Sequence, residues 1–250
     1  MELNLYVISV VLLGYFVLGT AGFGSALIIV PLIAWDWPLA FVVPLVLLID
    51  IPAAILHTGL NFKLVMWREL PPLLPSVLVG ALIGVLLMHW PLGVPLLLSL
   101  GIYVIYIGWR GLLGASSTKQ FNSKAVHFFG FAMGLVETLF GTAGPVVMSW
   151  LSQRVSDPFL IRATMPMTII GLSSIALGML GASGGLSDIT LWTRLAWLLP
   201  FSLAGVLLGH RFSRKISAEF LRPFIYGFLC LSGLVLCARA LRGLYLLFVN

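Results

Sequence analysis

Charge is what this sequence has least of. Only 9% of its 250 residues are Asp, Glu, Lys or Arg, against roughly a quarter in a typical soluble domain. So few ionic side chains cannot cover the surface of a chain this size in water, which excludes a soluble globule. Cysteine is almost missing too. Cys230 and Cys237 lie seven residues apart in one apolar run, where they read as small hydrophobes rather than as a disulfide framework. There is no HExxH, no Walker A sequence, no paired CxxC and no acidic cluster with ligand spacing. With four His in all, little remains to build an enzyme from, and neither catalysis, cofactor nor metal is expected. A net charge of +6 would suggest nucleic acid in a soluble protein. Here the basic residues fall mostly in short loops between apolar runs, so no nucleic-acid partner is expected. The amino terminus carries Glu2 where a signal peptide would carry a base, and it reads as a retained first membrane helix.

What the chain does have is long apolar runs, with a mean hydropathy of +1.12. Against Gly, Pro and charge they divide into ten helical segments, starting near Leu3, Ser25, Pro38, Leu70, Gly93, Ala125, Pro145, Phe159, Ile189 and Ala218. The fold class is therefore all-α, a polytopic membrane protein of eight to ten membrane segments. Two segments, from Ser25 to Trp35 and from Pro145 to Arg154, are about half a membrane long. Each follows a glycine-rich break, GTAGFG from Gly19 to Gly24 and FGTAG from Phe140 to Gly144.

The breaks are paired. GTAG recurs after 122 residues, and the same shift carries Pro44 onto Pro166 and Gly59 onto Gly181. At a shift of 125, Trp67 falls on Trp192, Leu74-Pro75 on Leu199-Pro200, Gly80 on Gly205 and Gly84 on Gly209. The sequence reads as two repeats, 1–113 and 125–250, in one integral membrane domain, joined by a polar cytoplasmic connector over 114–124. Five segments per repeat is an odd number, so the copies are expected to be inverted. With the amino terminus outside, eleven basic residues fall inside and three, Arg194, Arg239 and Arg242, outside, as the positive-inside rule asks. The location expected is a plasma (inner) membrane, crossed several times. This count does not distinguish two crossings from a re-entrant hairpin at each short pair.

A break inside a membrane segment frees backbone N–H and C=O groups, which lipid penalises unless protein or a watery cavity covers them. A half-helix starting just after it aims free N–H groups and a positive dipole end at the membrane middle, a site for an anion without a basic side chain. The candidate binding residues are Gly19, Thr20, Gly22, Gly24 and Ser25 in the first copy and Gly141, Thr142, Gly144 and Pro145 in the second. Thr138 and Ser149 are further hydroxyls nearby. Two acids lie in apolar runs, Asp50 and Glu137, and a carboxylate there normally faces a cavity or a partner. Glu137, one turn before the second break, is the candidate proton carrier. Asp50, with His57 seven residues on, is a second candidate for proton or cation coupling, or a partner of that His. The pairs Gly80/Gly84 and Gly205/Gly209 read as close helix contacts.

GTAGFGSALIIVPLI in the first half, GFAMGLVETLFGTAGPVV in the second, and LLP-x4-G-x3-G later in each copy resemble the sulfite exporter TauE/SafE family, also called the 4-toluene sulfonate uptake permease family. The resemblance runs the length of the chain. It implies a multi-pass, largely prokaryotic plasma-membrane protein that moves small sulfur-containing or organic anions such as sulfite, sulfonates and sulfoacetate. The family's glycine motif falls on Gly19, Gly22 and Gly24 with Pro31, and on Gly141 and Gly144. The second copy departs from it, with Pro145 in place of a glycine and Gln153 in the place corresponding to Pro31, so the half-sites need not be equivalent. Glu137 lies outside that motif, and its role rests on the physical argument. The expectation is a secondary carrier and probable exporter of a small anion by alternating access, open to proton coupling, whose partners are that anion and the bilayer. A homo-oligomer is left open. The rivals are a passive anion channel of the same fold, an intramembrane enzyme using Asp50, Glu137 and His57, and an accessory protein that binds a partner through 114–124.

Overall fold

Backbone placed in lipid must satisfy its own hydrogen bonds, and a helix does so within one segment. Among the described residues every regular element is accordingly helical. The structure, a computed structural model, describes residues 5–59, 62–89, 93–113, 125–154 and 157–213, with 226–227, 230–231, 233–234, 236–238 and 240–242 of the C-terminal stretch. In chain order the helices are α1 (Leu5–Ala21), α2 (Ser25–Ile33), α3 (Leu39–Gly59), α4 (Leu74–His89), α5 (Gly93–Leu112), α6 (Ala125–Phe140), α7 (Gly144–Arg154), α8 (Pro158–Ala182) and α9 (Ile189–Phe212). Five stretches among the described residues are long and apolar enough to cross a membrane: Leu39–Gly59, Trp67–Met88, Val94–Leu112, Leu160–Ala182 and Ile189–Phe212.

The fourth segment starts later than expected. Three short 3-10 turns, Phe62–Leu64, Trp67–Glu69 and Pro71–Leu73, precede α4, because Pro71 and Pro72 preset φ but cannot donate to a helix ladder. The expected tenth start near Ala218 lies outside the described residues, as do the connector 114–124 and the last eight residues. The described part of 226–242 is helical and packs on α5. Cys237 fills the space at Gly101 and Cys230 the space at Gly108, each as a free cysteine.

Both short pairs fold as hairpins. A Cβ on Gly14 would lie 2.5 Å from Ile29 Cγ1 and 3.0 Å from Ser25 O, and the Tyr6 hydroxyl donates to Leu32 O at 3.2 Å. So α2 runs back along α1 and ends level with its start. In the second half the rings of Phe129 on α6 and Trp150 on α7 stand 5.5 Å apart, and α7 returns in the same way.

The hairpins are gripped crosswise. Helix α1 packs on α9, α6 packs on α4, and α3 packs on α8. Glycine makes the first two crossings close enough for backbone to touch backbone. A Cβ on Gly80 would sit 2.1 Å from Phe131 O and 2.9 Å from Leu135 N, while one on Gly205 would sit 2.7 Å from Leu12 O and 3.1 Å from Phe16 N. Gly84 meets Leu135 and Thr138, and Gly209 meets Phe16 and Gly19. Each contact of one crossing recurs in the other, with α4 and α9 positions 125 apart and α1 and α6 positions 119 apart. Outward faces of α4, α5 and α9 carry Leu78, Leu82, Leu86, Ile102, Trp109 and Trp197, the apolar surface that lipid covers. This is a polytopic membrane protein whose interior is organised around two hairpin turns.

Candidate functional site

Each hairpin turn starts where glycine stops a helix. In α1 the stop is Gly22, at φ 85°, whose N–H bonds Leu18 O at 2.7 Å. In α6 it is Gly141, at φ 65°, whose N–H bonds Glu137 O at 2.7 Å. This left-handed cap satisfies an orphan carbonyl at a conformation glycine alone adopts cheaply. The two caps are also 119 residues apart, whereas the GTAG tetrapeptides are 122 apart. The repeated tetrapeptide therefore sits one turn out of structural register: in the first copy it closes α1, and in the second it forms the turn itself.

After the caps, α2 begins at Ser25 and α7 at Gly144, and the turns touch. Gly144 lies under the Phe23 ring and Gly141 faces Ala26 and Leu47. Here a small cavity, with room for about one water, is lined by Gly24, Ser25, Ala26, Leu27, Asp50, Glu137, Gly141, Thr142, Gly144 and Ile169. Asp50 comes from the middle of α3 and Ile169 from the middle of α8, so the cavity sits half-way along the spanning helices.

Both acids are buried, Asp50 at 2% exposure and Glu137 at 1%, and both are hydrogen-bonded. Ser25 Oγ donates to Asp50 Oδ1 at 2.9 Å, and the Tyr15 hydroxyl lies at the same carboxyl. Ser173 Oγ of α8 donates to Glu137 Oε1 at 2.7 Å. The backbone N–H of Ala143, at the start of α7, donates to Glu137 Oε2 at 3.0 Å. Tyr103 of α5 holds the turn from outside by donating to Thr142 O at 3.0 Å. The Thr142 hydroxyl, at 2% exposure, lies beside the Tyr103 hydroxyl in the lining of the cavity. Among the described residues no Lys, Arg or His lines the cavity, so the only donors to an anion there are hydroxyls and the N–H groups of the helix starts.

Of the residues singled out in the sequence, Gly24, Ser25, Asp50, Glu137, Gly141, Thr142 and Gly144 meet at this cavity. Four others lie elsewhere. Gly19 is pressed on α9, where a Cβ would be 2.3 Å from Val206 O. Thr20 bonds back to Val17 O at 2.9 Å, Gly22 abuts the Arg162 backbone, and Pro145 occupies the first turn of α7 behind Gly144. His57 is two turns beyond Asp50, about 10 Å along α3, and its ring stands against that of His210, centroids 6.0 Å apart. Ser149 offers its carbonyl to Gln153 Nε2 at 2.7 Å, away from the cavity.

Sequence reasoning missed Tyr15, Tyr103, Ser173 and Arg162. Tyr15 and Ser173 lie in α1 and α8, whose polar residues are spread around the helix and mark no inward face, and Tyr103 is one of several polar side chains along α5. Arg162, counted among loop bases, lies inside α8. Its guanidinium donates to Gly19 O at 3.2 Å and to Ser213 Oγ at 2.8 Å, tying the end of α1 to α8 and α9.

The sulfite exporter TauE/SafE family profile matches residues 6–236. A relative from Comamonas testosteroni, named "Probable inner membrane transporter protein TsaS", is 37% identical over 204 residues, covering 79% of this chain and 83% of the relative. No solved structure matches.

Proposed function

The chain belongs to the sulfite exporter TauE/SafE family, a family of membrane transporters and not of enzymes, and from that membership we propose a secondary carrier for a small sulfur-containing or organic anion. The anion binds at the starts of α2 and α7 and passes by alternating access. One observation carries this reading: two half-helix N-termini, with the Ser25 and Thr142 side chains, converge on one cavity half-way along the spanning helices. Free N–H groups and the helix dipole favour an anion there without a basic side chain.

Inverted repeats explain how one cavity opens to either side. The proposal is supported by the exchanged grip of α1 on α9 and α6 on α4 and by the equal 119-residue spacing of caps and contacts. In this reading each repeat contributes three crossings and one re-entrant hairpin, and the eleven-to-three division of basic residues supports an external amino terminus.

Reconstitution in liposomes tests the function. Expected is saturable counterflow of sulfite or sulfoacetate, stimulated when the same anion is preloaded on the far side. Flux that rises linearly with concentration and shows no such stimulation makes the protein a pore, and no flux of either anion from correctly folded protein removes the substrate class.

A further inference from the structure

The N-terminus offered to an anion in the second half is already in use. Glu137 stretches one turn forward, and its carboxyl takes the Ala143 N–H at the start of α7 and the Ser173 hydroxyl. Asp50 stands in the same way at the start of α2, on the Ser25 hydroxyl. A carboxylate and a sulfonate present the same thing to such a site: one negative charge spread over oxygens that accept N–H and O–H bonds. The cavity has room for about one water beside them. A sulfite or sulfonate group is several times larger, and no basic side chain lines the cavity to offset its charge.

We propose that Glu137 is a tethered stand-in for the substrate, so that ionised Glu137 closes the site and an anion enters only with the proton that releases its carboxyl from the Ala143 amide. The inference rests on the carrier reading above and deepens it. A proton adds to the Glu137 carboxylate as the Ala143 N–H bond to Oε2 breaks. An oxygen of the incoming anion then accepts that N–H, and the Thr142 hydroxyl in the cavity lining serves it as a second donor. On the other side the anion leaves, the proton departs to water, and the carboxylate returns to the amide. No other bond changes. Proton and anion therefore move together, one for one, through a single shared amide.

The groups facing Glu137 fit a switch of this kind. From α3 comes Asp50, itself beside Tyr15 of α1, and from α5 comes Tyr103. Helices α7 and α8 contribute the uncharged Thr142 and Ser173, and α4 carries no titratable residue short of His89 at its far end. The nearest described cation along α8 is Arg162, seven residues and about 10 Å from Ile169. Among the described residues no cation stands by to hold the acid ionised once an anion arrives.

The test uses sulfoacetate, whose charge is constant from about pH 6 to 8, since sulfonates are strong acids and its carboxyl titrates lower. Full-length protein in liposomes is assayed for exchange across that range and for accumulation under an imposed proton gradient. In wild type, KM should rise about tenfold per pH unit once Glu137 is ionised, the slope of one competing proton. In Glu137→Gln, saturable exchange should persist with a KM that no longer varies with pH, and the gradient should no longer drive accumulation. Ser173→Ala, which removes one bond to the carboxylate, should move the pH profile without changing its slope. A wild-type KM flat with pH, a KM set by sodium instead, or gradient-driven accumulation by Glu137→Gln each overturns the inference while leaving a carrier. Absence of saturable sulfoacetate or sulfite flux in folded wild type overturns the carrier reading itself. Should Glu137→Gln fail to fold, the wild-type slope and the Ser173→Ala profile decide alone.

Discussion

The two hairpin turns use one backbone device and two chemistries. Both end a helix on a left-handed glycine, and both start a half-helix at the same cavity. In the first turn the acid is brought by another helix, Asp50 of α3, and meets a side-chain hydroxyl. In the second the acid belongs to the helix that has just ended, and it meets the backbone of the helix about to begin. The first turn is fastened by an Arg162 guanidinium on the Gly19 carbonyl, the second by a Tyr103 hydroxyl on the Thr142 carbonyl. The two turns thus share what the chain path requires, the cap and the close crossing, and differ in the groups they bring to the cavity. An acid bonded to a hydroxyl can turn away with little penalty, whereas an acid bonded to a helix-start amide controls whether that amide is available.

The crossings offer the strongest way to break the comparison. Leu at Gly80 or Gly205 drives a side chain into facing backbone, which cannot yield as a side chain would, and overpacking of this kind costs about 1–3 kcal/mol or more. Both variants should lose the monodisperse folded species in detergent, the larger effects of the set. Ala separates the halves. At Gly209 it meets Phe16 O at 2.1 Å, but at Gly84 its closest contact is the Thr138 side chain at 2.8 Å. Gly209→Ala should lower Tm more than Gly84→Ala, and equal losses would mean that the two crossings are interchangeable.

Removal of each acid compares the turns directly. Glu137→Ala strands a buried amide and a buried hydroxyl, at about 1–3 kcal/mol for each unsatisfied group. Asp50→Ala strands hydroxyls and no amide: Ser25 Oγ, and the Tyr15 hydroxyl, which still has Val46 O within 3.5 Å. Tm should fall further for Glu137→Ala, and the reverse order would deny that the second turn is the more tightly engaged. Thr142→Val sharpens the point at the ligand. It removes the hydroxyl beside Tyr103 while the Tyr103 bond to the Thr142 carbonyl stays, so Tm should change little, while the KM for sulfoacetate should rise about 2–12-fold, the worth of one ordinary hydrogen bond. An unaltered KM places the anion away from this hydroxyl.

Much of this layout was legible before the fold was known, and the exceptions have physical reasons. Glycine and small polar residues inside apolar runs marked both turns, because only an interior device tolerates them there. Loop charges could not separate a hairpin from two crossings, since both return the chain to one side. GTAG suggested a repeat of 122, yet the caps and crossings repeat at 119. Identity in four small residues records ancestry or composition, while register follows from where φ turns positive, and Gly22 and Gly141 do that at different places in the tetrapeptide. The partners Tyr15 and Ser173 were hidden for another reason: the polar residues of α1 and α8 are spread around each helix and give no single face to read.

The smallest effect lies at the outer ends, where α4 and α9, the helices that cross the two hairpins, begin by different means. Helix α4 is reached through proline-set 3-10 turns without a side-chain cap. Helix α9 starts on Asp188, whose Oδ1 accepts from the Thr190 N–H at 2.8 Å and the Thr190 hydroxyl at 2.7 Å. Those two bonds hold the Asp188 carboxyl below its ordinary range, so the cap is at full strength above the unfolded carboxyl value and is lost as pH falls through the lower, folded one. Acidification should therefore lower the amide-exchange protection factors of Thr190 and Leu191 while leaving those of Leu73 and Leu74 as they were. Asp188→Asn, which keeps an acceptor but does not titrate, should abolish that pH response. If α4 and α9 loosen together on acidification, their starts are coupled through the packed interior, and the difference between prolines and an ionised cap has no consequence for how each helix begins.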